Sequence, residues 1–141
     1  MVTVRKMTHA PVTRAQVGMV SRAAREALAV EGAEEKNVCV VMADAPLVRD
    51  LNRRFAGRDE VTDVLAFEQG GEELGDVVVC VPAAMGQAKV YGHTLTRELM
   101  ILAAHGVLHL VGWRDKTDSQ RRKMMRRTEE IVSRVEARTK S

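Results

Sequence analysis

The sequence predicts a single α+β domain over residues 1–141, in which about five helices pack against a small mixed four-stranded sheet. A length of 141 residues suits one packed core, and 45% hydrophobic with 29% charged residues is ordinary for a globular protein. Apolar runs alternate with amphipathic segments in the first half, two such runs then follow one another, and the remainder has helical spacing. The predicted order is therefore β-α-β-α-β-β-α-α-α, which is typical of an α+β fold.

The first half of the chain predicts two strand–helix pairs. Thr13 and Asp44 each offer a side-chain oxygen that can cap a following helix. Gly32 suits a helix end, and Pro46 is tolerated in a first helical turn. Between the helices lies a nearly continuous apolar run, which is expected for a strand covered on both faces. The predicted elements are a strand at 2–4, a helix at 13–30, a strand at 38–42 and a helix at 46–55.

The second half predicts two strands and three helices. Pro82 suits a first helical turn, Thr94 caps the next helix, and Thr117 or Asp118 caps the last one. Acidic residues between the two strands predict a loop at 68–74. The predicted elements are strands at 62–67 and 76–81 and helices at 82–91, 95–111 and from about 118 to 137.

The chain has no sign of a membrane or secretory location. No apolar run approaches the roughly 18 residues that a membrane span requires, so no membrane partner is expected. Residues 1–14 lack the apolar stretch and the small-residue cleavage site of a secretory signal. Cys39 and Cys80 each lie inside an apolar run, which favours core residues over a disulfide. We therefore expect a cytoplasmic protein with reduced thiols.

Charge is distributed unevenly along the chain. Residues 114–141 contain ten Lys or Arg against five Asp or Glu, whereas the rest of the chain is slightly acidic. Such a basic segment favours an anionic partner such as RNA, and a solvated helix surface is the equally open alternative. Aromatic residues make up only 3% of the chain, which argues against base-stacking platforms for single strands.

The segment 105–115 carries the candidate chemistry. His105 and His109 are four residues apart, so they lie on one face of an otherwise apolar helix. A buried polar group without a partner costs about 1–3 kcal/mol, and one divalent metal ion satisfies both imidazoles. Gly112 ends the helix and lets Asp115 turn back toward them. The spacing predicts one Zn²⁺ or other divalent ion per chain, held by these three side chains, with two satisfied core histidines as the alternative.

The same spacing occurs in the long zinc-protease signature, but one residue differs. Those enzymes place a glutamate directly after the first histidine as general base, and this chain has Gly106 there. Peptide hydrolysis by that mechanism is therefore disfavoured. A glycine within a helix costs about 1 kcal/mol relative to alanine, so we expect another part of the chain or a ligand to approach Gly106 closely.

Three stretches of the chain, in order, resemble one family. Residues 105–115, HGVLHLVGWRD, are similar to the HGxLHLxGYDH signature of the YbeY-type ribosomal RNA maturation factors of bacteria. Residues 51–67 are similar to that family's LNxxYRxxDxPTDVLSF segment, and residues 75–82 to its GDIxIC stretch. The resemblance covers about residues 38–132. It implies a zinc-dependent single-strand endoribonuclease acting on the RNA of the small ribosomal subunit, in late 16S 3′-end maturation and ribosome quality control.

The chain departs from this resemblance at five positions. Asp115 stands where the family has its third histidine, and Arg114 stands where it has an acid. Ala56 stands at the position of the family's arginine, with Arg58 two residues further along. Val61 replaces a proline, and Trp113 replaces the family's usual tyrosine, which is a conservative change. A carboxylate at the third ligand position changes the charge of the site and weakens the Lewis acidity of zinc.

These residues together predict a metal-assisted phosphodiester hydrolase. Zinc held by His105, His109 and Asp115 lowers the pKa of its water toward about 7. Arg58 is the candidate catalytic cation for charge that develops on phosphate, and an exposed loop charge is its alternative. Asp63 is expected to cap or to bond a turn, and no residue stands out as general base.

Three other functions stay open from the sequence. A non-catalytic ribosome-associated module would use the metal only structurally and keep the basic helix. A metal-dependent hydrolase of small or peptide substrates comes next, and Gly106 weakens it. A pure RNA-binding domain without metal leaves the paired histidines unexplained.

Overall fold

The computed structural model describes residues 1–140 and has the predicted order of elements. Five helices pack against a four-stranded mixed sheet in one α+β unit, which confirms the predicted fold class. The elements are β1 (Val2–Met7), α1 (Arg14–Val30), β2 (Asn37–Ala43), α2 (Ala45–Ala56), β3 (Val64–Gly70), β4 (Glu73–Cys80), α3 (Val81–Tyr91), α4 (Leu95–Leu110) and α5 (Asp118–Lys140).

The sheet has the strand order β1-β2-β4-β3. β1, β2 and β4 are parallel neighbours, whereas β3 pairs with β4 in the antiparallel direction. β3 is therefore an edge strand, hydrogen-bonded to a neighbour on one side only. That free edge borders the turn that follows α4.

The two faces of the sheet support separate apolar clusters. On one face, Val77 and Val79 of β4 pack into the main core, which includes residues of α1, α4 and α5. On the other face, Val78 and Cys80 pack against Val48 and other residues of α2. Because side chains alternate along a strand, one apolar strand supplies both clusters. α4 thus lies against the sheet with most of its side chains buried.

The predicted acidic loop at 68–74 is wrong. β3 continues to Gly70 and β4 begins at Glu73, so this segment is a hairpin whose tip includes Gly71. Pairing of Glu68 with Gly75 and of Gly70 with Glu73 extends the ladder beyond the core. The residues there are exposed on a projecting hairpin, which explains a polar composition that looks like a loop.

Helix caps agree with the sequence in three places, and Thr94 caps α4 by accepting a hydrogen bond from the Arg97 backbone N–H at 3.1 Å. Thr13 forms a capping box with Gln16 at the start of α1. Thr117, and not Asp118, caps α5, since the Gln120 backbone N–H donates to its hydroxyl at 3.1 Å.

Asp44 has a different role from the predicted one. It lies at the N-cap position of α2, yet its carboxylate makes no cap hydrogen bond. The carboxylate instead accepts hydrogen bonds from the Thr8 hydroxyl and from the His9 backbone N–H. Asp44 therefore ties the end of β1 to the start of α2, a contact between residues distant in sequence.

Two further expectations concern membrane-spanning helices and the cysteines. No helix within residues 1–140 is long and apolar enough to cross a membrane. Both cysteines are free thiols, and Cys80 is fully buried. Burial raises the pKa of both thiols, which keeps them in the protonated form.

Candidate metal centre

Gly106 lets the ligand-bearing part of α4 lie directly on the sheet. A Cβ atom at this position would lie 2.4 Å from Cγ1 of Val77, a residue of β4. The predicted close approach at Gly106 is therefore confirmed, and the approaching group is a core side chain. The missing side chain at Gly106 therefore allows α4 to lie close to β4. His105 and His109, on either side of the glycine in sequence, remain partly exposed.

The two imidazoles face one another at the end of α4. Their Nε2 atoms are 3.0 Å apart, and the ring planes lie at 80° to each other. The side chains of His105 and His109 are 23% and 28% exposed, so an ion can reach them from solvent. The helical spacing of four residues produces this convergence, as predicted.

The turn after α4 brings Asp115 to the same point. Gly112 adopts a φ of 108°, a conformation that favours glycine, and redirects the chain. The Asp115 Oδ2 atom then lies 3.4 Å from Nε2 of His109 and 3.9 Å from Nε2 of His105. The three ligand atoms all lie within 4.8 Å of one another, so this ligand cluster can hold a metal ion.

A backbone carbonyl sets the tautomer of His109. Its Nδ1 atom lies 3.1 Å from the carbonyl oxygen of Trp113, which can only accept a hydrogen bond. Nδ1 therefore carries the proton and Nε2 directs its lone pair toward Asp115 and His105. Two zinc-bound imidazole nitrogens in a tetrahedral site lie about 3.3 Å apart, close to the separation observed here. The donor set and its geometry fit zinc.

Electrostatics favour the metal-binding form of His105. Burial lowers the pKa of this imidazole, and the neighbouring His109 lowers it further. The carboxylates of Asp115 and Asp63 act in the opposite direction. Because a neutral imidazole is the form that binds metal, a lowered pKa keeps His105 available as a ligand at neutral pH.

Comparisons with known proteins show which family the chain belongs to. A family profile described as Endoribonuclease YbeY matches residues 4–136. The chain belongs to the YbeY family. An Endoribonuclease YbeY from Pelotomaculum thermopropionicum is 44% identical over 135 residues, covering 88% of this chain and 89% of the relative. One from Geobacillus kaustophilus is 38% identical over 138 residues, covering 87% and 88%.

A solved structure shares the fold. The solution structure of a Thermotoga maritima protein matches with a TM-score of 0.69, covering 98% of this chain and 92% of that one at 24% sequence identity. Membership of the YbeY family supports an endoribonuclease role for this chain. It also confirms the resemblance drawn from three short motifs.

Two further candidate residues lie in hydrogen-bonded loops. Asp63 bonds its own turn, as expected, by accepting from the Val64 backbone N–H at 2.8 Å, and it also accepts from Gln87. Arg58 follows the end of α2, pairs with Glu60 at 3.9 Å, and has a side chain that is 74% exposed. Its catalytic role stays a prediction.

Asp118, an acidic residue three positions after Asp115, is engaged outside the cluster. It lies in the first turn of α5 and forms an ion pair with Arg121. The Arg121 guanidinium also donates to the backbone carbonyl of Asp115 at 3.1 Å. This contact fixes the segment that carries the third ligand of the cluster.

A cleft beside the cluster was not predicted from the sequence. This cleft, of about 450 Å³, lies between the β3 edge and the turn after α4, and His109 borders it. Trp113 and Arg114 line it from the turn, and residues 64–66 line it from the strand. The motif at 105–115 marked the turn, but nothing local in the sequence placed β3 opposite it.

Proposed function

We propose that this protein is a zinc-dependent endoribonuclease that hydrolyses phosphodiester bonds in single-stranded RNA. The observation that carries the proposal is the convergence of His105, His109 and Asp115 at the end of α4 in a chain of the YbeY family. Two neutral nitrogen donors and one carboxylate oxygen form a donor set that zinc accepts in enzymes.

The composition of the ligand cluster favours a catalytic ion over a structural one. Structural zinc sites are usually closed by four protein ligands, whereas catalytic sites have three and leave one position open. Within residues 1–140, three side chains form this cluster, and the Asp115 side chain is 44% exposed. This open coordination position favours a catalytic metal over the alternative, a ribosome-associated module whose metal is purely structural.

The residues of the site have separate tasks in this reaction. Zinc, when bound, supplies Lewis acidity that makes water a nucleophile near neutral pH. The Trp113 carbonyl holds His109 in the tautomer that presents Nε2 to the ion. Asp115 contributes a negative charge that a third histidine would not, which reduces the Lewis acidity of the centre. Arg58 stabilises negative charge that develops on the phosphate.

The charge distribution supports RNA as the substrate. Arg122, Lys123 and Arg126 on α5 are exposed, and none of them forms an ion pair with another residue of the described chain. These charges offer phosphates a basic surface on the helix that follows the ligand cluster in sequence. We propose ribosomal RNA of the small subunit as the target, in late 16S 3′-end maturation and ribosome quality control in the cytoplasm.

The test measures metal content and RNA cleavage together. The purified chain is expected to contain about one zinc ion and to cleave a single-stranded oligoribonucleotide. A chelator should abolish cleavage, and added zinc should restore it. His105→Ala should lose both metal and cleavage, whereas His9→Ala, which alters a fully exposed histidine that pairs with Asp44 outside the cluster, should keep both.

Two results would contradict the proposal. Cleavage that survives in metal-free protein, or in His105→Ala, would show that the cluster is not the catalytic centre. Retention of one zinc ion without any cleavage of single-stranded RNA would favour the structural-metal alternative.

A further inference from the structure

The cleft beside His109 has the features of a binding site for part of the substrate strand. Its volume of about 450 Å³ falls within the range of about 300–1,000 Å³ typical of ligand pockets. His109 belongs both to its lining and to the ligand cluster, so the cleft opens next to the metal centre. We propose that this cleft binds the nucleotide adjacent to the scissile phosphate, and that Arg114 holds the backbone phosphate of that nucleotide.

The turn that forms one wall is held rigidly from three directions. The Trp113 backbone N–H donates to the Leu108 carbonyl at 3.0 Å, and its own carbonyl accepts from His109. The indole Nε1 donates to Glu31 at 2.6 Å, a contact with the end of α1. A wall fixed in this way loses little conformational entropy when a ligand binds.

Two neighbouring residues of the turn carry opposite charges, and each belongs to a different site. The Asp115 carboxylate lies 3.4 Å from Nε2 of His109 and belongs to the ligand cluster. Arg114 lines the cleft, is exposed, and has no ion-pair partner within residues 1–140. An anion in the cleft therefore meets a free guanidinium, which suits phosphate.

The opposite wall supplies hydrogen-bonding groups for the rest of a nucleotide. β3 is an edge strand that pairs with β4 alone, so alternate backbone N–H and C=O groups along it have no partner in the sheet. Glu68 also lies on this wall and repels phosphate. The phosphate is therefore expected at the Arg114 side, with the sugar or base toward β3.

This inference rests on the proposed function for the nature of the strand, single-stranded RNA. The chain's single tryptophan lines the cleft and reports on its occupancy. A short single-stranded oligouridylate should quench Trp113 fluorescence in a saturable manner, measured with the purified full chain before and after zinc removal. Arg114→Gln should raise the half-saturating RNA concentration about tenfold and reduce the salt slope of binding by about 0.7.

Arg14→Gln is the matched control. Arg14 is also exposed, and it begins α1 near the other end of α4, where Gln16 contacts Thr96. This variant should bind RNA like the parent, and all three proteins should contain equal zinc. In cleavage assays, Arg114→Gln should raise KM while leaving kcat within about twofold, because the contact holds the strand and does not act on the reacting atoms.

The outcomes separate this inference from the proposed function. Absence of Trp113 quenching, or equal RNA affinity of Arg114→Gln and the parent, overturns the inference even if the zinc-loaded protein cleaves RNA. Binding that depends on Arg114 in a protein that cleaves no RNA supports the cleft and contradicts only the proposed activity.

Discussion

Histidines lie at both ends of α4, but their hydrogen-bonding partners differ. Beside its first turn, His93 Nε2 lies 2.6 Å from a carboxylate oxygen of Glu98, which is itself 3% exposed. At its far end, the Nε2 atoms of His105 and His109 face each other at 3.0 Å, with Asp115 beyond them. The exposure of the imidazoles is nearly the same, at 24% for His93 and 23% for His105.

Burial alone therefore does not distinguish a structural histidine from a metal ligand. The first site is complete, because one imidazole and one buried carboxylate satisfy each other. The second site brings two nitrogen donors and a carboxylate oxygen to one open point, where a single cation satisfies all three. The arrangement of partners, and not depth in the fold, decides which role a histidine has.

The largest expected effect removes the metal. A double change of His105→Ala and His109→Ala should reduce the metal content from about one ion per chain to none, because both nitrogen ligands are lost. His93→Ala should leave it unchanged. Elemental analysis of the purified proteins measures this, and equal metal in the double variant and the parent would refute the ligand assignment.

The third ligand offers a finer test of the same end of α4. Asp115→Ala should weaken metal affinity at least about 100-fold, more than the 10–100-fold loss typical of outer-shell partners. Asp115→His should preserve or tighten binding, since imidazole is also a zinc ligand. Competition with a chromophoric chelator gives both affinities. Unchanged affinity in Asp115→Ala would mean that two histidines and water complete the site.

For the free energy of unfolding, we expect the histidine at the first end of α4 to matter more than the histidines at the far end. His93→Ala leaves the Glu98 carboxylate buried without its partner, which should lower the free energy of unfolding by about 1–3 kcal/mol. His105→Ala should lower the free energy of unfolding less in metal-free protein, because it removes one of two adjacent imidazoles and leaves no buried charge without a partner. Urea denaturation in the presence of chelator compares the two. A larger loss for His105→Ala would contradict the distinction between the two ends.

A smaller effect is expected from the basic surface beyond the cluster. Replacing Arg122 and Arg126 by Gln should weaken RNA binding and flatten the plot of log affinity against log salt by about 0.7 per lost phosphate contact, the value for single strands. Metal content should not change, since neither residue touches the cluster. An unchanged salt titration would identify this part of α5 as an ordinary solvated face.

The smallest effect concerns a third histidine–carboxylate pair, His9 with Asp44, in which the histidine is fully exposed. The Thr8 hydroxyl, followed by His9, lowers the pKa of Asp44 from 3.8 to about 2. Because the folded pKa is the lower one, the stabilisation is present above about pH 4 and is lost as the pH falls toward 2. Asp44→Asn should therefore unfold at lower urea than the parent at pH 5, with the difference vanishing near pH 2. A difference independent of pH would exclude this linkage.

Local sequence signals sufficed for the helices and for the ligand cluster. The helices could be predicted from apolar periodicity and from three capping residues, Thr13, Thr94 and Thr117. Both signals depend only on residues within a few positions of one another. The spacing of His105 and His109 and the glycine after them were enough to bring Asp115 back, since one helical turn and one tight turn connect all three.

Only the tertiary structure decided the features that join distant segments. The sequence suggested a loop at 68–74, whereas pairing of β3 with β4 makes it a hairpin. Asp44 was expected to cap α2, but Thr8 and His9 compete for its carboxylate. Trp113 reaches Glu31, 82 residues away in sequence, and this contact fixes the wall of the cleft. Such contacts follow from strand order and helix packing, which no window of neighbouring residues contains.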